Sequence, residues 1–143
     1  ESVSALRSSE NQFSFKESLT NLLRALDEEQ YDTQITIEGD ESRYSQSVLM
    51  TLYRAAQEGI TNILKHADAH HISLTVDFGD ESASLCLTDD GKGFDPQKAR
   101  SQDRSFGLRG IRERVELLQG SLDIKSSPKG STITTTIPRT THP

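Results

Sequence analysis

Two alternating segments joined by a tight turn constrain the fold of this chain most. Residues 71–78 and 83–88 alternate apolar and polar side chains, and a Gly-Asp-Glu turn lies between them. This pattern predicts a β-hairpin, because parallel strands need a crossover of about a dozen or more residues. Residues 121–125 and 131–137 predict a second strand pair. The chain therefore predicts a mixed sheet with antiparallel pairs, not alternating βαβ units.

Apolar residues recur at helical spacing outside these strands. The three predicted helices span residues 14–29, 45–66 and 107–119. Ser14, with Glu17 three residues later, predicts a capping box at the start of the first helix, and residues 33–38 alternate as a further strand. The order of elements predicts an α+β fold. We expect a two-layer α/β sandwich, with three helices on one face of a mixed five-stranded sheet.

The composition of the chain excludes several classes of protein. Its 143 residues suit one domain, and we expect residues 14–138 to form it, between a loose segment (1–13) and a tail (139–143). The net charge of −6, with no Lys/Arg run, argues against nucleic-acid binding. The single cysteine excludes a disulfide framework and predicts a cytoplasmic setting. No segment approaches the ~18 apolar residues of a membrane helix, so we expect no membrane contact by this domain.

The long predicted helix carries the first group of candidate functional residues. At ~100° per residue, Asn62 and His66 lie ~40° and ~80° from Glu58. Lys65 lies at about −20° by the same arithmetic. The apolar positions cluster between ~120° and ~220°, so we expect Glu58, Asn62 and Lys65 to share one stripe that faces away from the core. Carboxylate and amide oxygens suit Mg²⁺ and lysine suits phosphate, although a solvated helix face would give the same pattern.

The second group is the sequence Asp90-Gly91-Lys92-Gly93 at the end of a predicted strand. Its two glycines let the backbone turn sharply and let a ligand approach closely. The Asp90 carboxylate can accept a hydrogen bond from an exocyclic amine. An ordinary Asp-Gly turn has the same residues, so this signal is weak alone.

The third group is a glycine-rich helix start. Gly107-Leu108-Arg109-Gly110 opens the third predicted helix, where free N–H groups and the helix dipole attract phosphate. Residues 95–106 are polar and lack periodicity, which predicts a mobile loop before this helix. The segment is not a Walker A loop, because no Gly-Lys-Ser/Thr ends a strand-to-helix turn. A solvated, glycine-rich helix entry remains an alternative.

Together and in this order, the three groups resemble the ATP-binding domain shared by histidine kinases, type II topoisomerases, a class of heat-shock chaperones and mismatch-repair ATPases. They look like those of sensor histidine kinases of the nitrate-sensor and desaturase-regulator type. Residues 52–67 resemble the asparagine box, residues 88–94 the first glycine box and residues 107–115 the second. The resemblance covers residues 19–138 and implies a Bergerat-type ATP-binding fold.

The resemblance implies that ATP and Mg²⁺ are bound, and it gives the helix residues their roles. Asn62 would hold Mg²⁺ against the phosphates, with Glu58 near the metal. Glu58 would also orient or deprotonate the attacking group. Lys65 and His66 would meet the phosphates, and residues 107–110 would close on them.

The resemblance also implies how the base is bound. Asp90 would accept from the adenine amine, while Gly91 and Gly93 would let adenine lie close. Ser131 stands where the family usually has threonine, and it would assist at adenine directly or through water. Thr132, the next residue, belongs to the same implied ATP site.

The implied function is the catalytic half of a histidine kinase. Such a domain phosphorylates a histidine on a separate acceptor domain, usually dimeric in this family, which then passes the phosphate to a response regulator. No acceptor motif surrounds any of the 4 histidines, and the chain begins at Glu1 without Met, so we expect a fragment of a longer kinase. Three alternatives stay open: an ATPase clamp of the same fold, a protein-serine kinase that controls a sigma factor, and a non-catalytic nucleotide-binding module.

Overall fold

A computed structural model describes residues 14–26, 29–91 and 106–139. The helices and strands in these ranges are α1 (Phe15–Arg24), β1 (Asp32–Gly39), α2 (Gln46–Asn62), β2 (His71–Phe78), β3 (Ser82–Asp89), α3 (Phe106–Leu117), β4 (Ser121–Ser127) and β5 (Gly130–Pro138). A 3-10 turn precedes α2 and a π-helical turn follows it. The predicted order of elements is confirmed, while the predicted N-terminal segment (1–13) lies outside the described residues. None of the helices described here has both the length and the apolarity needed to cross a lipid bilayer.

The five strands form one mixed sheet, as predicted. Their order is β1-β2-β3-β5-β4; β1 and β2 are parallel, and the other neighbours are antiparallel. The predicted hairpin joins β2 to β3, with Phe78 opposite Ala83 beside the turn. Asp89, the last residue of β3, pairs with Ile72 on one side and Ser131 on the other. The end of the hairpin and the start of β5 therefore meet at one edge of the sheet.

Alternate residues of the central strands bury one face of the sheet. Fully buried side chains of this layer include Leu74, Val76, Leu85, Leu87, Ile133 and Ile137. Most of the apolar stripe predicted on α2 is buried with them, but Leu64 is 41% exposed. Leu64 lies in the π-helical turn Ile63–Ala67, where the α-helical period no longer applies.

Helix α2 runs along the sheet from the β2–β3 turn toward the opposite edge. Tyr44, just before α2, packs against Phe78 with ring centroids 5.5 Å apart, and its hydroxyl donates to a backbone carbonyl of the turn. Farther along α2, Gly59 lies directly on β3, because a Cβ added there would be 2.6 Å from Cδ2 of Leu87. The last turn of α2 is therefore directed toward Asp89, which follows Leu87 on the same face.

The start of α1 corrects one prediction. The side chain of Ser14 makes no capping hydrogen bond, so the predicted capping box is wrong. The Glu41 carboxylate instead accepts from the backbone N–H groups of Phe15 at 3.2 Å and Lys16 at 3.1 Å. A local motif cannot reveal this cap, because its acceptor lies 25 residues from Lys16 along the chain.

Candidate functional site

A buried carboxylate stands at the end of β3. The Asp89 residue is only 4% exposed and lies on the helix-covered face of the sheet. Its Oδ1 accepts from the N–H of Gly91 at 2.8 Å, and its Oδ2 accepts from the hydroxyl of Ser131, which is equally buried. A carboxylate has about four acceptor positions. The Asp89 carboxylate is therefore held in place while it keeps acceptor positions for a ligand.

The neighbouring carboxylate, Asp90, occupies a different environment. Its side chain is 42% exposed, and its Oδ1 accepts from the backbone N–H groups of His70 at 2.9 Å and His71 at 2.8 Å. These hydrogen bonds, the one from His71 first, hold the pKa of the Asp90 carboxyl below its usual range. The structure thus places Asp89, and not the predicted Asp90, beside Ser131.

Asp89 is the residue that the sequence interpretation missed. The signal for it was present, because β3 buries every second residue, including Leu85 and Leu87. Continuing that alternation places Asp89 on the covered face and Asp90 off it. The motif gives two adjacent aspartates, and only the strand period separates their positions.

Asn62 lies deeper than predicted. The expectation that the polar stripe of α2 faces away from the core is wrong for this residue, which is 7% exposed. Glu58, one turn earlier, is partly buried. A helical wheel gives the direction of a side chain but not what covers it, and tertiary packing covers the last turn of α2.

The predicted phosphate contacts Lys65 and His66 lie beyond the end of the α-helix. Both belong to the π-helical turn Ile63–Ala67, and the Lys65 side chain is exposed. In a π turn the backbone bonds span five residues instead of four, so the predicted angle of Lys65 relative to Glu58 does not hold. Single π turns often occur at functional sites.

The predicted ligand-binding residues near the Asp89–Ser131 pair differ in burial and in which face of the sheet they occupy. Gly91 is buried and donates to Asp89, whereas Gly93 lies outside the described residues. Thr132 is partly buried and belongs to the other face of β5, because successive side chains of a strand alternate. Gly130, just before Ser131, has a φ of +143°, and an added Cβ there would lie 2.1 Å from the Asp89 carbonyl oxygen.

The second glycine segment forms the first turns of α3, as predicted, since α3 begins at Phe106. Leu108 is buried and Arg109 is exposed. Gly110 is exposed and borders a cleft against the N-terminal half of α2, together with Met50. The predicted loop before α3 lies almost wholly outside the described residues. Across this cleft, Gly110 thus faces the opposite end of α2 from Asn62.

Comparison with known proteins places this geometry in a family. The family described as "Histidine kinase-, DNA gyrase B-, and HSP90-like ATPase" matches residues 47–141, well over half of the chain. The chain belongs to this ATPase family. The matched segment contains both the helix that carries Asn62 and the strands that carry Asp89 and Ser131.

Members of the family with similar sequences are signal-transducing kinases. The chain is 38% identical over 90 residues to the histidine-protein kinase/phosphatase DegS of Bacillus subtilis, covering 62% of this chain and 23% of DegS. It is 41% identical over 100 residues to UhpB of Salmonella typhimurium, covering 70% of this chain and 19% of UhpB. The chain therefore spans a quarter or less of the length of these two relatives.

Solved structures show the same fold at lower identity. The histidine kinase AdeS of Acinetobacter baumannii superposes with a TM-score of 0.64 at 18% identity, covering 89% of this chain and 66% of that one. The mycobacterial sensor histidine kinase MprB gives a TM-score of 0.62 at 19% identity, covering 88% of this chain and 95% of that one. The predicted two-layer fold is thereby confirmed.

Proposed function

We propose that this chain is the ATP-binding catalytic domain of a sensor histidine kinase. In this proposal the γ-phosphate of ATP passes to a histidine on a separate, dimerising acceptor domain and then to a response regulator. Family membership and the similarity to DegS and UhpB support it. The observation that carries it is the buried Asp89–Ser131 pair, toward which the Asn62 end of α2 is directed.

In this proposal the Asp89 carboxylate accepts a hydrogen bond from the exocyclic amine of adenine, the role that the sequence had assigned to Asp90. Ser131 and Gly91 donate to the carboxylate of Asp89 and fix its orientation. Guanine carries a carbonyl oxygen where adenine carries the amine, so a carboxylate would meet a second acceptor there without a hydrogen bond. A buried polar site of this kind discriminates strongly against a base that leaves it unpaired. We expect ATP to be preferred over GTP.

Asn62 and Glu58 are the residues that would hold Mg²⁺. The side-chain amide of the buried Asn62 supplies an oxygen, and Glu58 supplies a carboxylate one turn earlier on the same helix. Mg²⁺ in kinase sites commonly takes one or two protein ligands and completes its shell with water and phosphate oxygens. The site fits this pattern, because the Asn62 amide oxygen and the Glu58 carboxylate are hard oxygen ligands. The ion would neutralise phosphate charge.

Phosphoryl transfer depends mainly on positioning and charge stabilisation. Glu58 would orient or accept the N–H proton of the attacking imidazole. Exposed Lys65 and Arg109, with His66 beside Lys65, would contact the phosphates. The free N–H groups of the first turn of α3 would add to this attraction.

A transfer assay tests the proposed function. The chain is mixed with the histidine-bearing acceptor domain of the same kinase and γ-labelled ATP·Mg²⁺. We expect label on the acceptor in an acid-labile, alkali-stable form, as a phosphohistidine gives, and very slow turnover by the chain alone. Glu58→Gln should lose transfer and keep ATP affinity measured without Mg²⁺, while the Mg²⁺-dependent part of the affinity falls because Glu58 is also a proposed Mg²⁺ ligand.

The same assay distinguishes the alternatives. Acid-stable label on a partner would support the serine-kinase function, and ATP binding with no transfer to any partner would support the non-catalytic module. Fast ATP hydrolysis by the chain alone would support an ATPase clamp. Each of these results contradicts the histidine-kinase proposal.

A further inference from the structure

We propose that Asp90 is a positioning residue, which fixes the carboxylate of Asp89 by fastening the turn after β3 to the first residues of β2. In this proposal Asp90 itself binds no ligand. The predicted effect of Asp90 on nucleotide affinity rests on the proposed function of Asp89. The predicted effect of Asp90 on the turn after β3 is independent of that function.

Three hydrogen bonds fasten Asp90 to the start of β2. The Oδ1 atom accepts from the backbone N–H groups of His70 at 2.9 Å and His71 at 2.8 Å. The N–H of Asp90 donates to the carbonyl oxygen of His71 at 3.3 Å. The carbonyl oxygen of His70 in turn accepts from the N–H of Asp32 at 2.7 Å. Asp90 thus links the turn after β3 to the entrances of both β2 and β1.

This fastening acts directly on Asp89 through the main chain. Gly91, on the other side of Asp90, donates its N–H to Asp89 Oδ1, so the position of this donor depends on the conformation of Asp90. The opposite side of the turn is closed by Gly130, where an added Cβ would lie 3.2 Å from the Cα of Asp90. The Asp89 main chain is therefore held between β5 and the hydrogen bonds of Asp90.

The contacts of Asp90 indicate that its acceptor oxygen matters more than its charge. The Nε2 atom of His71, a ring that carries charge only when protonated, lies 3.9 Å from Asp90 Oδ2, and both side chains are substantially exposed. The other ring nitrogen of His71 lies 3.1 Å from a carboxylate oxygen of Asp32. Exposed ion pairs of this kind contribute little. Two backbone N–H groups that lose their acceptor cost more.

Three variants of Asp90 separate these contributions. Asp90→Asn keeps an oxygen at Oδ1 without the charge, Asp90→Glu keeps the charge but displaces the oxygen, and Asp90→Ala removes both. Asp40→Ala is the matched control, because Asp40 Oδ1 accepts from the N–H of Ser42 at 2.9 Å at the other edge of the sheet. All four substitutions are made in the full 143-residue chain.

Two measurements are made on each variant. Hydrogen exchange of the Gly91 N–H in the nucleotide-free chain reports on the turn, and calorimetry with a non-hydrolysable ATP analogue and Mg²⁺ reports on Asp89. We expect Asp90→Ala and Asp90→Glu to speed the exchange of Gly91 and to weaken ATP-analogue binding by about tenfold each. Asp90→Asn should stay within about twofold of the wild type, and Asp40→Ala should change neither measurement.

The outcomes are distinct. Unchanged Gly91 exchange in Asp90→Ala overturns the proposal, and so does an Asp90→Asn variant as impaired as Asp90→Glu. If Asp90→Ala does not fold, the contrast between Asp90→Asn and Asp90→Glu decides. If the wild-type chain binds no ATP analogue, the proposed function fails, while Gly91 exchange still tests the role of Asp90.

Discussion

The two edges of the sheet, at opposite ends of its central strands, are built from different chemistry. At the edge of the β2–β3 turn, the rings of Phe15, Tyr44 and Phe78 pack together, with centroid distances of 5.4 Å and 5.5 Å. At the other edge, the buried residues include a carboxylate and a hydroxyl, Asp89 and Ser131. The same helix, α2, begins over the first edge and ends toward the second.

The contrast separates stability from ligand binding. Aromatic contacts stabilise the fold through apolar burial and need no ligand. A buried carboxylate costs free energy unless it is hydrogen-bonded, and the structure satisfies that need for Asp89 with Gly91 and Ser131. We therefore expect substitutions at the aromatic edge to change unfolding, and substitutions at the polar edge to change nucleotide affinity.

The largest effect is expected at the aromatic edge. Phe78 is 3% exposed, and truncating a buried phenylalanine costs about 3–5 kcal/mol. Phe78→Ala should lower the free energy of unfolding by that amount in urea titrations, with Phe78→Leu as a milder control. Altered ATP affinity in the folded fraction of either variant would contradict the separation of stability at the aromatic edge from ligand binding at the polar edge.

The next effect is expected at Asp89. A hydrogen bond to a charged group contributes about 1.5–3 kcal/mol, so Asp89→Asn should weaken ATP binding by roughly 10- to 150-fold. Asp123→Asn, at an exposed position of β4, is the control and should bind ATP as the wild type does. Equal ATP affinity in Asp89→Asn and Asp123→Asn would contradict a ligand-binding role for the polar edge.

Asn62 should affect the metal-dependent part of the affinity. Asn62→Ala removes one proposed Mg²⁺ ligand, so the gain in ATP affinity on adding Mg²⁺ should fall by about tenfold, the lower end of the range for hydrogen bonds to charged groups. ATP affinity without Mg²⁺ should change little. Gln57→Ala, on the exposed surface of the same helix, is the control. A full Mg²⁺ effect in Asn62→Ala would contradict the assigned role.

The smallest effect concerns acid stability. The pKa of the Asp90 carboxyl lies below its usual value of 3.8, because the amides of His71 and His70 donate to it. Its stabilisation is therefore present above that value and is lost as pH falls through the lowered pKa. The difference in unfolding free energy between wild type and Asp90→Asn should shrink below about pH 4. The exposed ring of His71 lies 3.9 Å from the Asp90 carboxyl. A difference in unfolding free energy that grows with acid would contradict this assignment.

Much of the fold could be predicted because hydrophobic periods are local. The alternation in β2 and β3 and the turn between them specify a hairpin, and the helix period places Leu52 and Ile60 in the core. The Glu41 cap of α1 could not be predicted, because that acceptor is distant in sequence. The π turn at Ile63–Ala67 could not be predicted either, because its residues continue the helical pattern of the sequence.

The candidate site was predicted less completely than the fold. The motif points to residues 88–94, where two adjacent aspartates stand, and the chemistry of the residues does not separate them. The side of the strand separates them, because Asp89 follows the buried Leu87 at a spacing of two. The burial of Asn62 depends on which residues cover the end of α2, and the hydrophobic period of the helix does not predict them.

Calorimetry on the unmodified chain tests the central claim most directly. A non-hydrolysable ATP analogue and the matching GTP analogue are titrated with and without Mg²⁺. The account predicts saturable binding of the ATP analogue, tighter with Mg²⁺, and binding of the GTP analogue at least about tenfold weaker. No heat from the ATP analogue in either condition, or equal affinity for the two nucleotides, would contradict it.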